Sequence, residues 1–357
     1  MGRIPTVAVV GHICLDVIPA FEGPERGLSE ILVPGSLSVV GPAAVSTGGV
    51  VSNTGIALHK LGVPAVLMGK IGDDYMGLVT RSVLESYGHG LSDGMLVSRD
   101  AGSSYSVVLN PPGVDRMFLH FPGPNDTFGC EDVDFDKLGT TSLFHFGYPP
   151  LMRRMFEDEG KELELLFRLV GEKGLATSLD MTMPDPASDQ GRAPWRAILT
   201  RVLPHVHMFL PSIDEVCFML DPGRGPVPPD EVAGELLALG AALVMLKLGE
   251  RGLYLRASSD PARLSFMERL GQDPAVWAGL EIREPAFQVE VAGTTGCGDS
   301  TVAGFLAALV RGLGPREALT VAAAVGACTA ERRDALSGVP SWEALQDRLA
   351  SPWARLT

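Results

Sequence analysis

Short apolar runs alternate with amphipathic segments along most of this sequence, and this alternation constrains the fold more than any other feature. The apolar runs occupy residues 6–11, 65–69, 142–147, 175–180, 206–211 and 242–249. Apolar residues at helical spacing lie between most of them, as at 52–62, 76–88 and 162–174. A continuous apolar run of this length is typical of a strand that is buried on both faces. The sequence therefore predicts an α/β fold with a mainly parallel central sheet and helices on both faces.

Two stretches interrupt the alternation. Residues 13–46 are rich in Gly and Pro and contain short β-type pieces, and residues 95–121 are typical of an antiparallel ribbon that turns at the sequence NPPG. We expect both to form a small β lid over one edge of the sheet, within a single domain that spans residues 1–357. Because most strands end in Gly, Pro or Asp, the functional surface should lie at their carboxyl ends.

Composition excludes several classes of partner. The 357 residues carry a formal net charge of −14, and no Lys/Arg block is longer than a pair, so neither nucleic acid nor an anionic membrane surface is an expected partner. No apolar window approaches the length of a transmembrane helix. The five cysteines are dispersed and the N-terminus lacks the pattern of a signal peptide, so we expect reduced thiols and a cytoplasmic location.

The sequence GTTGCGDS at residues 293–300 directly precedes an apolar helical segment. Its glycines let the backbone approach a ligand and orient successive N–H groups into an anion-binding nest. The helix N-terminus adds unpaired donors and a favourable dipole, which together suit a phosphate group. A carboxylate beside such a nest makes chemical sense if Asp299 takes a proton from a hydroxyl that attacks the phosphorus. The simpler alternative is that Asp299 caps the helix.

Further motifs accompany this one, and neither a P-loop nor a dinucleotide-binding fingerprint is among them. Residues 46–77 contain a Gly-Gly pair, then Asn53, then the run GKIGDD, and the segments VVGHICLD, FLHFPGPND and KLGERG lie elsewhere along the chain. In this order, the motifs resemble those of the PfkB, or ribokinase-like, carbohydrate kinases, whose second signature usually reads D-T-T-G-A-G-D. The resemblance covers nearly the whole chain and implies a ribokinase-like fold.

The resemblance also implies roles for individual residues. Asp299 would be the catalytic base, and Cys297, which replaces a small residue of the family, would still offer its amide. The anion hole for the transferred phosphoryl group would consist of the backbone amides of Gly296, Cys297 and Gly298. The sugar hydroxyls would be held by Asp16, Gly49 and Asn53.

On the nucleotide side, the resemblance implies ATP as co-substrate and Mg²⁺ as cofactor. Glu215 in LPSIDE would help to organise Mg²⁺ through its bound waters, although Ser212 replaces the usual Asn of that motif. Gly293 replaces the usual Asp near a monovalent-cation site of related enzymes, which leaves K⁺ activation open. The nucleotide would lie along Lys247, Gly249 and Gly252.

The expected function is an ATP-dependent kinase that phosphorylates a hydroxyl of a sugar of the pentose or ketohexose type. A nucleoside kinase of the same fold is the first alternative, since Phe21, Tyr105 and Phe118 could provide an aromatic shelf for a base. A sugar- or nucleotide-binding regulator without catalysis is a second alternative, although the intact Asp299 and Glu215 argue against it. A plain nucleotide hydrolase is a third. We also expect a homodimer that forms through the lid.

Overall fold

The computed structural model describes residues 4–21, 28–31, 33–111, 117–223 and 225–356. Its strands are β1 (Val7–Gly11), β2 (Cys14–Ala20), β3 (Gly41–Gly48), β4 (Ala65–Gly72), β5 (Met95–Ser98), β6 (Tyr105–Leu109), β7 (Met117–Phe121), β8 (Leu143–Gly147), β9 (Ala176–Asp180), β10 (Met208–Phe209), β11 (Leu243–Lys247), β12 (Leu253–Ala257) and β13 (Glu281–Glu284). Its helices are α1 (Leu28–Ile31), α2 (Val50–Lys60), α3 (Tyr75–Tyr87), α4 (Phe135–Leu138), α5 (Arg153–Phe156), α6 (Lys161–Glu172), α7 (Asp189–Arg192), α8 (Trp195–Val202), α9 (Ile213–Leu220), α10 (Pro229–Leu239), α11 (Pro274–Trp277), α12 (Cys297–Leu309), α13 (Pro315–Ala330) and α14 (Trp342–Ala350).

The central sheet has the strand order β13-β12-β11-β10-β9-β8-β1-β4-β5. Neighbours from β11 to β5 pair in parallel, and antiparallel pairs join β12 to β11 and to β13. The mainly parallel sheet that the alternation predicts is therefore confirmed. The strand predicted at 206–211 is shorter, Met208–Phe209, since Pro211 lacks the N–H group that a ladder requires.

Both faces of the central sheet are buried. In β1, Val7 and Val9 belong to the hydrophobic cluster that also contains residues of α2, α12 and α13, while Ala8 and Val10 belong to the cluster on the other face, which contains residues of α6, α8 and α10. All four side chains are fully buried. This burial on both sides explains why the sequence shows continuous apolar runs instead of polar alternation.

A second, smaller sheet has the order β3-β2-β6-β7. It lies largely in the segments predicted to form the lid, and the name lid is used for this sheet. β2 pairs in parallel with β6 and antiparallel with β3, and β6 pairs antiparallel with β7, as predicted for the ribbon. One part of the predicted lid departs from this arrangement: β5 extends the central sheet beside β4, because Met95 is buried in the central core. Residues 22–27, 32 and 112–116, which include part of the predicted NPPG turn, lie outside the described residues.

The carboxyl ends of the parallel strands meet at one edge of the central sheet, as predicted. Gly11, Gly147 and Asp180 end β1, β8 and β9 and lie side by side in register. Lys247 ends β11 at the same edge. Residues in or directly after these strand ends are therefore positioned to share a site.

Helix length and apolarity decide whether a helix can cross a bilayer, which requires about 20 apolar residues. The helix α13 has 16 residues. In the described ranges, no helix combines the necessary length and apolarity.

Candidate active site

The helix α12 begins at the glycine-rich turn, where the sequence predicts it. Its N-cap is Gly296, with φ +71, and a side chain at this position would also collide with Ala335, so the position requires glycine. The first amides of a helix have no intrahelical acceptor. The amide of Cys297 donates to the carbonyl of Thr294 at 3.3 Å, a contact that an anion bound at the helix N-terminus would replace.

Asp299 lies in this first turn and is buried, with 3% of its surface exposed. Its Oδ2 accepts a hydrogen bond from Asn53 Nδ2 at 3.0 Å, and its Oδ1 accepts a longer one from Thr54 Oγ1 at 3.4 Å. The Tyr148 hydroxyl lies 2.8 Å from both carboxylate oxygens. Because the N-cap is Gly296 and the carboxylate faces side chains of other elements, the alternative that Asp299 is only a helix cap is wrong.

Tyr148 is a contact that the sequence analysis missed. It follows β8 directly and adopts φ +67 and ψ +41, a left-handed conformation that is uncommon for a bulky residue and tends to occur at functional sites. Its position just after the carboxyl end of a predicted parallel strand is the signal that could have identified it.

A buried ion pair lies beside the start of α12. Lys247 Nζ is 2.7 Å and 2.8 Å from the two carboxylate oxygens of Asp180, and the side chains are 11% and 1% exposed. A methyl group added at Gly298 would lie 3.4 Å from the same Nζ, so the ammonium group adjoins the helix N-terminus. The sequence analysis identified Lys247 but missed Asp180, although an acid at the carboxyl end of a predicted strand was a usable signal.

Burial is the largest single effect on the pKa of each of these groups. It raises the pKa of Asp299, against the opposing effects of Lys247 and of the hydrogen bonds that the carboxylate accepts. Burial also raises the pKa of Asp180, with Lys247 opposing the shift and Glu215 and Asp299 adding to it. Burial lowers the pKa of Lys247, but the three acids outweigh this effect and the pKa is raised. A carboxylate with a raised pKa is the stronger proton acceptor at neutral pH.

Glu215 has a structural role at the start of α9. It forms a capping box with Ser212, in which Ser212 N donates to Glu215 Oε2 at 2.7 Å and Glu215 N donates to Ser212 Oγ at 3.3 Å. Ser212 is paired with Lys247 in an isolated parallel bridge, which places Glu215 next to the ion pair. The serine that departs from the family motif thus supplies the helix cap, and the role of Glu215 toward Mg²⁺ stays a prediction.

The residues predicted to hold the sugar share one cavity of about 1140 Å³ at the junction of the central sheet and the lid. Its lining includes Asp16, Gly49, Asn53, Gly296 and Asp299. The lid contributes aromatic and polar side chains, namely Tyr105, Ser106, Phe118, His120 and Phe121. Residues 182–186 and 188–190 form a further wall of this cavity.

Several groups in this cavity are arranged for a polar ligand. Burial raises the pKa of Asp16 to about 6, against the hydrogen bonds that its carboxylate accepts. Asn53 Oδ1 is buried and has no hydrogen-bond partner among the residues that the structure describes. Gly49 has φ +87, and a side chain there would approach His12 Nδ1 to 2.5 Å, so only glycine fits. An unpaired buried oxygen costs free energy unless a ligand supplies a donor.

The residues predicted to bind the nucleotide lie at the β11 end of the same sheet edge. Gly249 and Gly252 belong to the turn between β11 and β12. A side chain on Gly249 would meet open space, whereas one on Gly252 would collide with the carbonyl of Glu284, so packing alone requires Gly252. Gly249, Gly252 and Lys247 are not part of the cavity lining. Asp299 lines the cavity and also interacts electrostatically with Lys247. It therefore connects the residues predicted to bind the sugar with those predicted to bind the nucleotide.

Comparison with known proteins agrees with this architecture. The family model described as "pfkB family carbohydrate kinase" matches residues 5–342. Fructokinase-1 of Oryza sativa subsp. japonica is 24% identical over 360 residues, which cover 95% of this chain and 96% of the relative. The structure of Arabidopsis thaliana ribokinase complexed with ribose and ATP superposes with a TM-score of 0.74 at 18% identity, covering 98% of this chain and 100% of the other. The structure of fructokinase with bound ATP from Xylella fastidiosa gives a TM-score of 0.74 at 16% identity, with the same coverage of 98% and 100%. The ribokinase-like fold class is thereby confirmed.

We expect Tyr148→Phe to raise the pKa of Asp299 further, because the variant loses a hydroxyl that stabilises the charged carboxylate. A hydrogen bond to a charged group contributes about 1.5–3 kcal/mol. The carbon-13 chemical shift of the Asp299 carboxyl group, followed through a pH titration, measures this pKa directly. Tyr105→Phe is the matched control, since Tyr105 lines the same cavity but packs against Phe121. An unchanged pKa in Tyr148→Phe would contradict the contact.

Proposed function

The chain belongs to the pfkB family of carbohydrate kinases, and from this premise we propose that it transfers the γ-phosphoryl group of ATP to a hydroxyl of a pentose or ketohexose, with Asp299 as general base. Family membership supports the phosphoryl transfer, and the ribokinase complexed with ribose and ATP supports the pair of substrates. The single observation that carries the residue assignment is the buried carboxylate of Asp299, which lies between a polar cavity and the Lys247 ammonium group.

In the proposed reaction, the acceptor hydroxyl oxygen attacks the γ-phosphorus of ATP, and the bond from this phosphorus to the bridging oxygen of ADP breaks. The hydroxyl proton passes to Asp299. Tyr148 OH already lies 2.8 Å from both carboxylate oxygens, so the acceptor hydroxyl would share the carboxylate with it. An ionised carboxylate has about four acceptor positions, which leaves room for both donors.

Charge develops on the transferred phosphoryl group and on the leaving oxygen, and fixed donors stabilise it most effectively in a dry site. We propose that the backbone amides of Gly296, Cys297 and Gly298 form the anion hole. The position of Lys247 Nζ beside Gly298 supports a direct role for this ammonium group at the phosphates. The buried partner Asp180 keeps Lys247 charged, since its attraction contributes to the raised pKa of Lys247.

ATP is proposed to extend along the β11–β12 turn, past Lys247, Gly249 and Gly252. Glu215 is proposed to hold Mg²⁺ through water, because carboxylate oxygens suit this ion and because Asp180 and Asp299 add negative charge nearby. When bound, Mg²⁺ would supply charge neutralisation at the phosphates.

No role for K⁺ is part of the proposal. Gly293, which stands where relatives carry Asp, packs against the backbone of Arg332 and Arg333. It contributes no side-chain oxygen, the type of ligand that hard cations prefer.

The position of the lid supports the proposal that the acceptor is enclosed before the reaction. Tyr105, Phe118 and Phe121 of the lid line the same cavity as Asp16 and Asp299, so a bound sugar would be covered and water excluded, which limits ATP hydrolysis. A nucleoside acceptor is the second candidate, favoured by the Tyr105 and Phe121 rings, whose centroids are 5.8 Å apart.

Two other functions compete with the kinase. A nucleotide hydrolase would form ADP without an alcohol, and a non-catalytic regulator would form none. The intact Asp299, with its raised pKa, favours catalysis over regulation. The cytoplasmic location and the absence of a nucleic-acid or membrane partner, both expected from the sequence, remain part of the proposal.

We expect Asp299→Asn to abolish most of the turnover. The amide keeps the size of the side chain but cannot accept the hydroxyl proton, and loss of a general base typically lowers the rate by about 10²–10⁴. ATP affinity should hold or improve, because the amides of the helix N-terminus remain and a negative charge is removed. Steady-state kcat and calorimetric ATP binding measure the two effects separately.

The matched control for this experiment is Asp134→Asn, which alters an exposed acid that caps α4 and should keep full activity. An Asp299→Asn variant that retains more than about a third of wild-type kcat would refute the base assignment, since even the weak end of the expected range is a larger loss.

We expect Asp16→Asn to raise the KM for the acceptor and to leave the KM for ATP nearly unchanged. Leaving a buried ligand group with a weakened partner costs about 1–3 kcal/mol, which is about fivefold to 150-fold in affinity. Initial rates at varied acceptor and at varied ATP give both constants. Asp126→Asn, another acid of the cavity lining, is the control, and equal effects of Asp16→Asn on both substrates would remove Asp16 from the acceptor site.

We also propose a homodimer that forms through the lid. The lid and the segment before β3 expose apolar side chains, with Leu37 86%, Val39 88%, Phe118 55% and Leu119 60% exposed, a pattern that marks association surfaces. A charge at the centre of such a surface should separate the subunits, because it would be desolvated without a partner. In sedimentation velocity, we expect a wild-type dimer, a monomer for Val39→Asp, and a dimer for the control Val276→Asp on α11. A monomeric wild-type protein, or a dimeric Val39→Asp variant, would contradict the lid interface.

A further inference from the structure

Three side chains with metal-binding groups lie together in the wall of the cavity. They are His12, Cys14 and His120, and one ligand atom of each lies within 4.8 Å of the other two. His12 and Cys14 lie at the end of β1 and the start of β2, whereas His120 belongs to β7. The group therefore joins the central sheet to the lid, and no local sequence motif reveals it.

The imidazole of His12 has an unusual environment for a core histidine. The residue is 1% exposed, and neither ring nitrogen has a hydrogen-bond partner among the described parts of the chain. Buried polar atoms are normally paired, because an unpaired one costs about 1–3 kcal/mol. A ligand that binds one of these nitrogens would remove the cost for that atom, so the ring itself indicates a binding site.

Two further groups stabilise the arrangement around His12. Ser106 Oγ lies 3.0 Å from His120 Nδ1 and 3.8 Å from Cys14 Sγ, and so links these two side chains. Cys14 Sγ also donates to Asp16 Oδ1 at 3.4 Å. Hydrogen-bond partners of this kind orient metal ligands, and the Asp16 carboxylate adds the negative charge that favours a cation.

We propose that His12, Cys14 and His120 form a binding site for Zn²⁺. Two imidazoles and one thiolate are ligand types that Zn²⁺ prefers, whereas Mg²⁺ and Ca²⁺ prefer oxygen. On binding, the Cys14 thiol releases its proton to solvent, and the thiolate donates to the metal. A tetrahedral ion with these three ligands keeps one position for water or for the adjacent carboxylate of Asp16.

The site has a consequence for the proposed kinase, because it overlaps the acceptor cavity. Asp16, which is proposed to hold a sugar hydroxyl, is in contact with Cys14, so the ion and the sugar cannot both use this part of the cavity. We expect Zn²⁺ to inhibit in competition with the acceptor and to leave ATP affinity unchanged. This consequence rests on the proposed function, whereas the metal binding does not.

Cobalt titration tests the site without reference to activity. Co²⁺ accepts the same ligands as Zn²⁺, and a thiolate-bound Co²⁺ ion has a charge-transfer absorption band that Zn²⁺ removes by displacement. With the full chain and Mg²⁺ in excess, we expect one equivalent of Co²⁺ per chain, displaced by Zn²⁺. Cys14→Ser should abolish the band, and His120→Ala should weaken Zn²⁺ binding by about tenfold or more.

The control variants are Cys297→Ser and Cys130→Ser, the latter altering a thiol beside Glu162, and both should bind Co²⁺ as the wild type does. If Cys14→Ser fails to fold, His120→Ala on the lid strand provides the same test. A band that survives in Cys14→Ser, tighter or equal binding in His120→Ala, or the absence of Co²⁺ binding by the wild type would overturn the site. Zn²⁺ that binds at these residues without competing with the acceptor would support the metal site and contradict the proposed sugar position.

Discussion

The burial of the Asp299 carboxylate is the constraint on which the rest of the site depends. A carboxylate removed from water must be compensated by hydrogen bonds and opposite charge. Here the compensation comes from separate elements, with Asn53 and Thr54 of α2, Tyr148 after β8, and Lys247 of β11. The fold therefore has to bring three strand or helix ends to one point, and the glycine-rich start of α12 permits that approach. The outcome is a carboxylate with a raised pKa, as a base near neutral pH requires.

Much of this architecture could be predicted because local sequence patterns determine it. The buried strands β1, β4, β8, β9 and β11 and the helix α12 follow from apolar runs and glycines, whereas Asp16 and Asn53 were candidates for sugar binding because of the resemblance to the family. Contacts between distant positions could not be predicted, since periodicity carries no information about them. Tyr148 and Asp299 are 151 residues apart, and Asp180 and Lys247 are 67 residues apart. The placement of β5 in the central sheet was missed for the same reason.

The cavity combines two kinds of chemistry. Near α12 it carries the carboxylate of Asp299 and the unpaired amide oxygen of Asn53, which suit an alcohol. Near the lid it carries His12 and Cys14, which suit a borderline-soft metal ion. Asp16 lies between these groups, in contact with Cys14 and with a pKa raised by burial to about 6. The acceptor and the metal ion would thus compete for the Asp16 carboxylate. Phosphoryl transfer would then proceed only when the acceptor, and not the metal ion, is bound there.

Phosphorus-31 NMR of a reaction mixture shows where the phosphorus lost from ATP goes, and it therefore distinguishes transfer to an alcohol from hydrolysis. The enzyme, ATP and Mg²⁺ are incubated with pentoses, ketohexoses, aldonic acids and nucleosides in turn, and without any acceptor. If the protein is a sugar kinase with Asp299 as base, we expect ADP and a phosphate monoester of a sugar in equal amounts, and no ADP when the acceptor is left out. Equal formation of ADP and inorganic phosphate with and without acceptor would contradict the proposed kinase activity, as would ATP that stays intact with every alcohol.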